Sequence, residues 1–109
     1  VEFHGVQLHQ PDWSEHSQTL AVTVRSVIGT RMVHLILNSY ERPLDFELPP
    51  VEPTLPWRRL IDTALHPPDD IAGLHSAPPV CGPTYEADAH SVVLLCADLH
   101  DATEAPALP

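Results

Sequence analysis

The segment Leu44-Asp-Phe-Glu-Leu48, enclosed by Pro43 and Pro49, decides the fold class of this chain. Its apolar residues alternate with acidic ones, and a period of two is the pattern of a β-strand with one buried face. Proline cannot donate to a β-ladder from a strand interior, so the two prolines indicate turns at both ends. The segment therefore predicts a short strand with Phe46 in the core.

Further strands are predicted on both sides of this segment. In residues 20–24 the apolar set is Leu20, Val22 and Val24, which share the face expected to be buried. Residues 33–37 carry apolar side chains on both faces and predict a central strand that is covered on both sides. Residues 91–97 form a near-continuous apolar run, which also predicts a strand buried on both faces. Two more strands are predicted at residues 57–63 and 85–87, the latter paired with 91–97 across a turn at 88–90.

Turn chemistry between these segments favours an all-β fold, an antiparallel β-sandwich of about 6–8 strands. Thirteen prolines against four glycines leave little room for long helices. Residues 1–18 are expected to form a linker or docking segment, residues 19–100 the sandwich and residues 101–109 a frayed tail. Because the chain begins at Val1 rather than methionine, we expect it to be a piece of a longer polypeptide.

The charge balance excludes several classes of partner. Five arginines, no lysine and 15 acidic residues give a net charge of −10, which repels nucleic acid and anionic membrane surfaces. Cys81 and Cys96 form no C-x-x-C pair and are expected to be reduced thiols. No apolar run is long enough to span a bilayer and no secretory signal opens the chain, so a cytoplasmic location is expected.

A group of histidines near the start of the chain raises the question of a metal site. His4, His9 and His16 lie close in sequence to Asp12 and Glu15. Their spacing matches neither one helical turn nor alternate strand positions, which usually set up imidazole ligands. Solvated loop histidines, and no metal site, are therefore predicted.

The acidic residues offer no catalytic pair. Asp62-Thr63-Ala64 is similar to the Asp-Thr-Gly turn of aspartic proteases, but the third residue differs and no second copy exists, so Asp62 is predicted to be structural. The pairs Asp69-Asp70 and Glu86 with Asp88 are expected to be solvated, which leaves neither carboxyl tuned for acid catalysis. No catalytic residue and no cofactor site are predicted.

The two tryptophans have different expected roles. Trp57 is followed by Leu60 and Ile61 and is predicted to lie in the core. Trp13 lies in the polar segment 10–14, and three roles stay open for it: a platform for a sugar ring, a docking residue against another domain, or a plug over this domain's own core.

An ordered set of short motifs resembles a known family. Residues 3–8 and 10–14 resemble the segment that leaves the catalytic barrel of bacterial glycogen debranching enzymes of the isoamylase type and enters their C-terminal domain. The rest of that domain is resembled, in the expected order, by Asn38, Pro43-Leu44, residues 46–49, Trp57 and Ile61-Asp-Thr-Ala64. The sequence departs from the family at His90-Ser91, where relatives often have arginine and serine, and in the proline-rich residues 74–83.

The resemblance implies a non-catalytic β-sandwich packed against the (β/α)₈ barrel of the same polypeptide. The implied parent is a glycoside hydrolase that cleaves α-1,6 branch linkages in glycogen or limit dextrin, with its catalytic carboxylates in the barrel. The structural motif residues carried over are Asn38, Phe46, Trp57, Asp62 and Thr63. Pro11, Asp12 and Trp13 are candidates for docking or for contact with α-glucan. The alternatives are a glucan-binding accessory module, or the C-terminal domain of a related amylase-superfamily enzyme.

Overall fold

The computed structural model describes residues 1–14, 16–25 and 31–98. These ranges contain no α-helix, and therefore none that could cross a membrane, which confirms the all-β prediction. Glu15, the turn around Gly29 and the predicted tail at 101–109 lie outside the described residues. The strands are β1 (Glu2–His4), β2 (Thr19–Arg25), β3 (Arg31–Asn38), β4 (Leu44–Glu47), β5 (Arg58–Asp62), β6 (Thr84–Ala87) and β7 (Ser91–Asp98).

The strands form two antiparallel sheets of unequal size. The larger sheet has the order β1-β2-β3-β7-β5, and the smaller one pairs β4 with β6. β3 is central, as the sequence predicted. β6 leads into β7 through the predicted turn at 88–90, but the predicted pairing of these two strands is wrong, because the chain crosses from one sheet to the other at this turn and β6 pairs with β4. β1 was not predicted as a strand, and it lies within residues 1–18, the segment expected to be a linker.

The core lies between the two sheets. In β4, Phe46 is fully buried while Asp45 and Glu47 are exposed, which confirms the face predicted from the alternation. Trp57 is also buried, and its indole N–H donates to the carbonyl oxygen of Pro49 at 2.9 Å. The other core side chains are Ala21, Met32, Ile36, Leu48, Ala87, Val93, Leu95 and Ala97.

The predicted buried face of β2 was wrong. β2 turns Ala21 and Thr23 to the core, and β3 likewise turns Met32, His34 and Ile36 inward. The apolar set of β2 lies on the opposite face, which the small sheet does not cover. β7 was expected to be buried on both faces, but Val92 is 38% exposed.

The remaining structural motif residues connect the strands. The buried side-chain amide of Asn38 donates to the carbonyl oxygens of Arg42, Ala87 and Asp88 at 3.0–3.1 Å. The carboxylate of Asp62 accepts hydrogen bonds from the Ala64 N–H and from the Tyr85 hydroxyl, which joins β5 to β6. The Thr63 hydroxyl accepts the N–H of Val92 at 2.9 Å.

Candidate functional site

The face of the large sheet that points away from the core is apolar. Directly paired residues of antiparallel strands project to the same side, so the strand pairing assigns each residue to a face. We call this surface the outer face. We define it by its apolar residues Phe3, Leu20, Val22, Val24, Val33, Leu35, Leu37, Val92 and Leu94. Towards the Asp98 end of β7 the same side of the sheet carries Cys96, which pairs with Val33 and is buried, and the ion pair of Arg31 with Asp98.

The outer face is partly open to solvent. Phe3, Val24 and Val92 are 44%, 42% and 38% exposed, and the other residues of the face are half-buried. No strand of the described ranges lies over it, because the small sheet packs on the core side. A contiguous apolar surface of this kind marks an interaction site in a soluble protein.

Trp13 stands at one end of the outer face. It is 67% exposed, and its ring meets Phe3 edge-on, with ring centroids 5.4 Å apart and an interplanar angle of 69°. Beside it is a cleft of about 320 Å³. The cleft is lined by Asp12, Trp13, Ser14, Ser17, Gln18, Thr19, Leu20, Leu37 and Ser39.

The polar groups of this cleft are held in place by local hydrogen bonds. The carboxylate of Asp12 accepts the N–H of Ser14 at 3.0 Å, and that bond lowers the pKa of Asp12. The hydroxyl of Ser39 donates to the carbonyl oxygen of Gln18 at 2.9 Å. Within the described ranges the side-chain amide of Gln18 makes no hydrogen bond. Pro11, the third residue of the predicted contact segment, is half-buried and does not line the cleft.

A chain of hydrogen bonds runs through the core side of β1, β2 and β3. The N–H of His9 donates to Nδ1 of His4 at 2.8 Å, so the proton of the neutral His4 ring lies on Nε2. His4 Nε2 is 2.9 Å from the Thr23 hydroxyl, which is 2.8 Å from Nδ1 of His34. The directions then follow: His4 donates to Thr23, Thr23 donates to His34, and the remaining His34 proton lies on Nε2. That atom is buried without a hydrogen-bond partner in the described ranges.

Gly5 allows the loop after β1 to begin this chain. A Cβ atom at position 5 would lie 2.5 Å from the backbone carbonyl oxygen of Gln10. Any other residue would push the loop away from β1 and would move the His9 N–H out of reach of His4.

The donor set around His4 fits a metal ion poorly. Ligand atoms of Glu2, His4 and His9 lie within 4.8 Å of one another, so the structure brings together two of the three histidines considered from sequence and adds Glu2. Both ring nitrogens of His4 are, however, engaged by the His9 N–H and by Thr23. A metal ion would have to replace one of these bonds. His16 lies on the surface outside this group.

Comparison with known proteins identifies the family. The family of isoamylase 1–3 C-terminal domains matches residues 2–90. The chain belongs to this family. Isoamylase 3, chloroplastic, from Oryza sativa subsp. japonica is 31% identical to it over 93 residues, which cover 84% of this chain and 12% of the rice protein. This isoamylase C-terminal domain therefore spans about an eighth of the length of the curated relative that it matches. The isoamylase-type C-terminal domain inferred from the ordered motifs is confirmed.

This isoamylase C-terminal domain has a structural role and is not itself catalytic. The Asp62 carboxylate accepts the hydrogen bond of the Tyr85 hydroxyl, and burial together with that bond raises the pKa of this hydroxyl. Asp69, Glu86 and Asp88 are exposed, whereas Asp70, which was also expected to be solvated, is half-buried. Sequence reasoning missed the hydrogen-bonded chain through His4, Thr23 and His34. The available signal was polar residues at alternate positions of otherwise apolar strands.

The buried His34 predicts a pH dependence of stability for this isoamylase C-terminal domain. Burial, reinforced by His4, lowers the pKa of His34 from 6.5 to about 4. The unfolded chain therefore binds a proton at this ring below about pH 6.5, whereas the folded chain stays neutral until about pH 4. At about 1.4 kcal/mol per pKa unit, roughly 3 kcal/mol of stability is lost as the pH falls from 6.5 towards 4.

Urea unfolding at several pH values measures this effect. Carboxylates also titrate near the lower end of the window, so the comparison is with His34→Gln, which should reduce the slope between pH 6.5 and 5. His66 is exposed, and His66→Gln is the matched control that should leave the slope unchanged. Equal slopes in the three proteins would contradict the role of His34.

Proposed function

We propose that this domain is a structural module that packs its outer face against the catalytic domain of the same polypeptide. The observation that carries the proposal is the apolar surface formed by β1, β2, β3 and β7, which no strand of the described ranges covers. We propose that residues 3–13 form the edge of this interface, since the rings of Phe3 and Trp13 pack together at one end of the outer face.

The proposed occupant is a folded domain rather than a peptide or a lipid. The face extends across four neighbouring strands, from the edge strand β1 to β7, and most of its residues come from the interior strands β2, β3 and β7. A broad, flat apolar surface is complementary to another such surface, and the net charge of −10 opposes contact with an anionic membrane. The matched relative is about eight times longer than the matched region, which leaves ample chain for such a domain.

For the parent protein we propose hydrolysis of α-1,6 branch linkages in glycogen or limit dextrin. Membership of the isoamylase C-terminal family supports this reaction, since the related rice protein carries the name isoamylase. A parent from another branch of the amylase superfamily would change the reaction but not the role of this domain. We propose a cytoplasmic location, whereas the rice relative is described as chloroplastic.

Leu35→Asp in the full-length protein tests the docking role. Leu35 pairs with Val22 and Leu94 at the middle of the outer face. If this position is buried against the catalytic domain, the new carboxylate loses its hydration without a partner, and an uncompensated buried charge costs about 3–5 kcal/mol. We expect a lower thermal midpoint and a lower soluble yield of the full-length protein.

The same substitution in the isolated 109-residue chain is the internal comparison. There the side chain is only half-buried, so we expect a smaller loss, of about 1–2 kcal/mol. Thr84 is exposed on β6, away from the outer face, so Thr84→Asp is the matched control for an added carboxylate in the full-length protein. Similar effects of Leu35→Asp in both contexts would argue against docking through this face.

A second candidate function is contact with α-glucan, the additional partner expected from sequence. The observation that favours it is an exposed aromatic ring, Trp13, beside a cleft with polar groups. Co-sedimentation of the domain with glycogen tests it. A domain that stays entirely in the supernatant would exclude this function and would leave the docking role unaffected.

A further inference from the structure

We infer that the cleft beside Trp13 is an α-glucan subsite, in which a glucose ring stacks on the open face of the indole. The inference rests on the second candidate function, glucan contact, and assigns to it a place and a set of residues. The cleft shares Leu20 and Leu37 with the outer face, and Trp13 belongs to the proposed edge of the interface, so the subsite is tested in the isolated chain.

The indole ring of Trp13 is exposed to solvent, and its orientation is nevertheless fixed. Only about a third of this large side chain is covered, and that cover includes the edge-on contact with Phe3. An edge-on contact fixes the tilt of the ring while leaving a flat π-surface open. A ring fixed in advance loses little conformational freedom on binding, which favours weak ligands such as sugars. The apolar face of a glucose ring is complementary to such a surface.

The polar groups of the cleft fit hydroxyl groups. The carboxylate of Asp12 is exposed and is held in place by the Ser14 N–H, so it presents a fixed acceptor to the cleft. The side-chain amide of Gln18 offers both a donor and an acceptor. A sugar hydroxyl donates and accepts at once, so it can use both residues together. Leu20 and Leu37 supply an apolar floor.

The charges exclude the other ligand classes. The net charge of −10 repels anions such as phosphate esters, and no arginine lines this cleft. Among the described residues that line the cleft, Asp12 alone has a carboxylate, which is too few ligands for a cation site. A neutral polyol is the class that meets no electrostatic penalty. The volume of about 320 Å³ lies at the small end of ligand sites, which suits a short stretch of glucan.

The test uses the 109-residue chain and maltoheptaose as the probe, with tryptophan fluorescence as the signal. Trp57 is buried and hydrogen-bonded, so a change in emission on binding reports Trp13. We expect a saturable change with a dissociation constant in the millimolar range, because one stacked ring contributes little affinity. Sucrose at the same concentrations is the control for a general osmolyte effect and should give no saturation.

The variants are compared by affinity electrophoresis in gels that contain glycogen. Trp13→Ala should weaken binding by tenfold or more, Trp13→Phe should retain part of it, and Asp12→Asn should weaken it a few-fold. Val92→Thr changes the outer face on a strand that does not line the cleft and should bind normally. Unchanged Trp57 emission in each variant verifies that the core is intact.

Each outcome separates the inference from the functions proposed above. Loss of binding in Trp13→Ala but not in Val92→Thr supports the site. Binding that survives Trp13→Ala overturns the site and keeps glucan contact as a function. Absence of binding in the unmodified chain overturns both. None of these results affects the docking role, which is measured with Leu35→Asp.

Discussion

Replacement of Asn38 by alanine is expected to lower the free energy of unfolding by about 3–4 kcal/mol, because buried polar partners cost about 1–3 kcal/mol each when left unpaired. The side chain of Asn38 is 1% exposed and donates to the carbonyl oxygens of Arg42, Ala87 and Asp88. It also accepts the N–H of Tyr40 at 3.0 Å. One amide therefore joins the end of β3 to the turns beside β4 and β6. Urea unfolding followed by the emission of Trp57 measures the loss.

Two variants sharpen this prediction. Ser39 follows Asn38, and its exposed hydroxyl bonds the carbonyl oxygen of Gln18, so Ser39→Ala should cost about 1 kcal/mol or less. Asn38→Asp places an oxygen against three carbonyl oxygens unless the carboxyl group is protonated. Its stability should therefore rise as the pH falls, opposite in sign to the effect of His34. A small loss in Asn38→Ala would show that water replaces the amide at this position.

Replacement of Phe46 by alanine is expected to cost about 3–5 kcal/mol, the range for an aromatic side chain removed from a packed core. Phe46 is fully buried on β4, and the small sheet consists only of β4 and β6. Its ring is the largest fully buried side chain in the described ranges. Loss of the ring removes much of the apolar contact that holds the small sheet on the large one. The midpoint of chemical unfolding measures the change.

Phe3→Ala is the matched control for Phe46→Ala. Phe3 is 44% exposed on the outer face, so the same change of side chain should cost only about 1 kcal/mol in the isolated chain. Equal losses at the two positions would contradict the assignment of the core to the inner face. The comparison also tells whether the outer face is covered in the isolated chain, for example by self-association.

The sequence predicted the strands better than it predicted their orientation. β4 could be oriented because its apolar and acidic residues separate cleanly between the two faces. In β2 and β3 the core face carries Thr23, His34 and Asn38, while the opposite face is aliphatic apart from Arg31 at the start of β3. The alternation of apolar and polar residues therefore favours the wrong face. The polar residues of the core face are stabilised by hydrogen bonds that form only after the strands pair. β1 has three residues, too few for a period to be detected.

The candidate sites, like the strand faces, could be predicted only in part from the sequence. Trp13 was singled out because a large aromatic residue in a polar segment is unusual, and the structure places it beside a cleft. The outer face could not be recognised, because its aliphatic residues have the composition of a core. The link between His4 and His34 depends on a contact across 30 positions of sequence, which no local spacing reveals.

The buried imidazole chain has a further consequence, for the alignment of β1 rather than for stability. β1 is a short edge strand, and its outward residue, Phe3, would gain similar apolar contact at several offsets along β2. A slip by one residue would carry Phe3 or Gly5 to the inner side and would leave Thr23 without its bond to the His4 imidazole. Only the observed offset lets His4 reach the His9 N–H and Thr23 together. The hydrogen-bonded chain thus selects one alignment of β1 among several with similar apolar contact. That alignment in turn fixes the position at which Phe3 contacts Trp13.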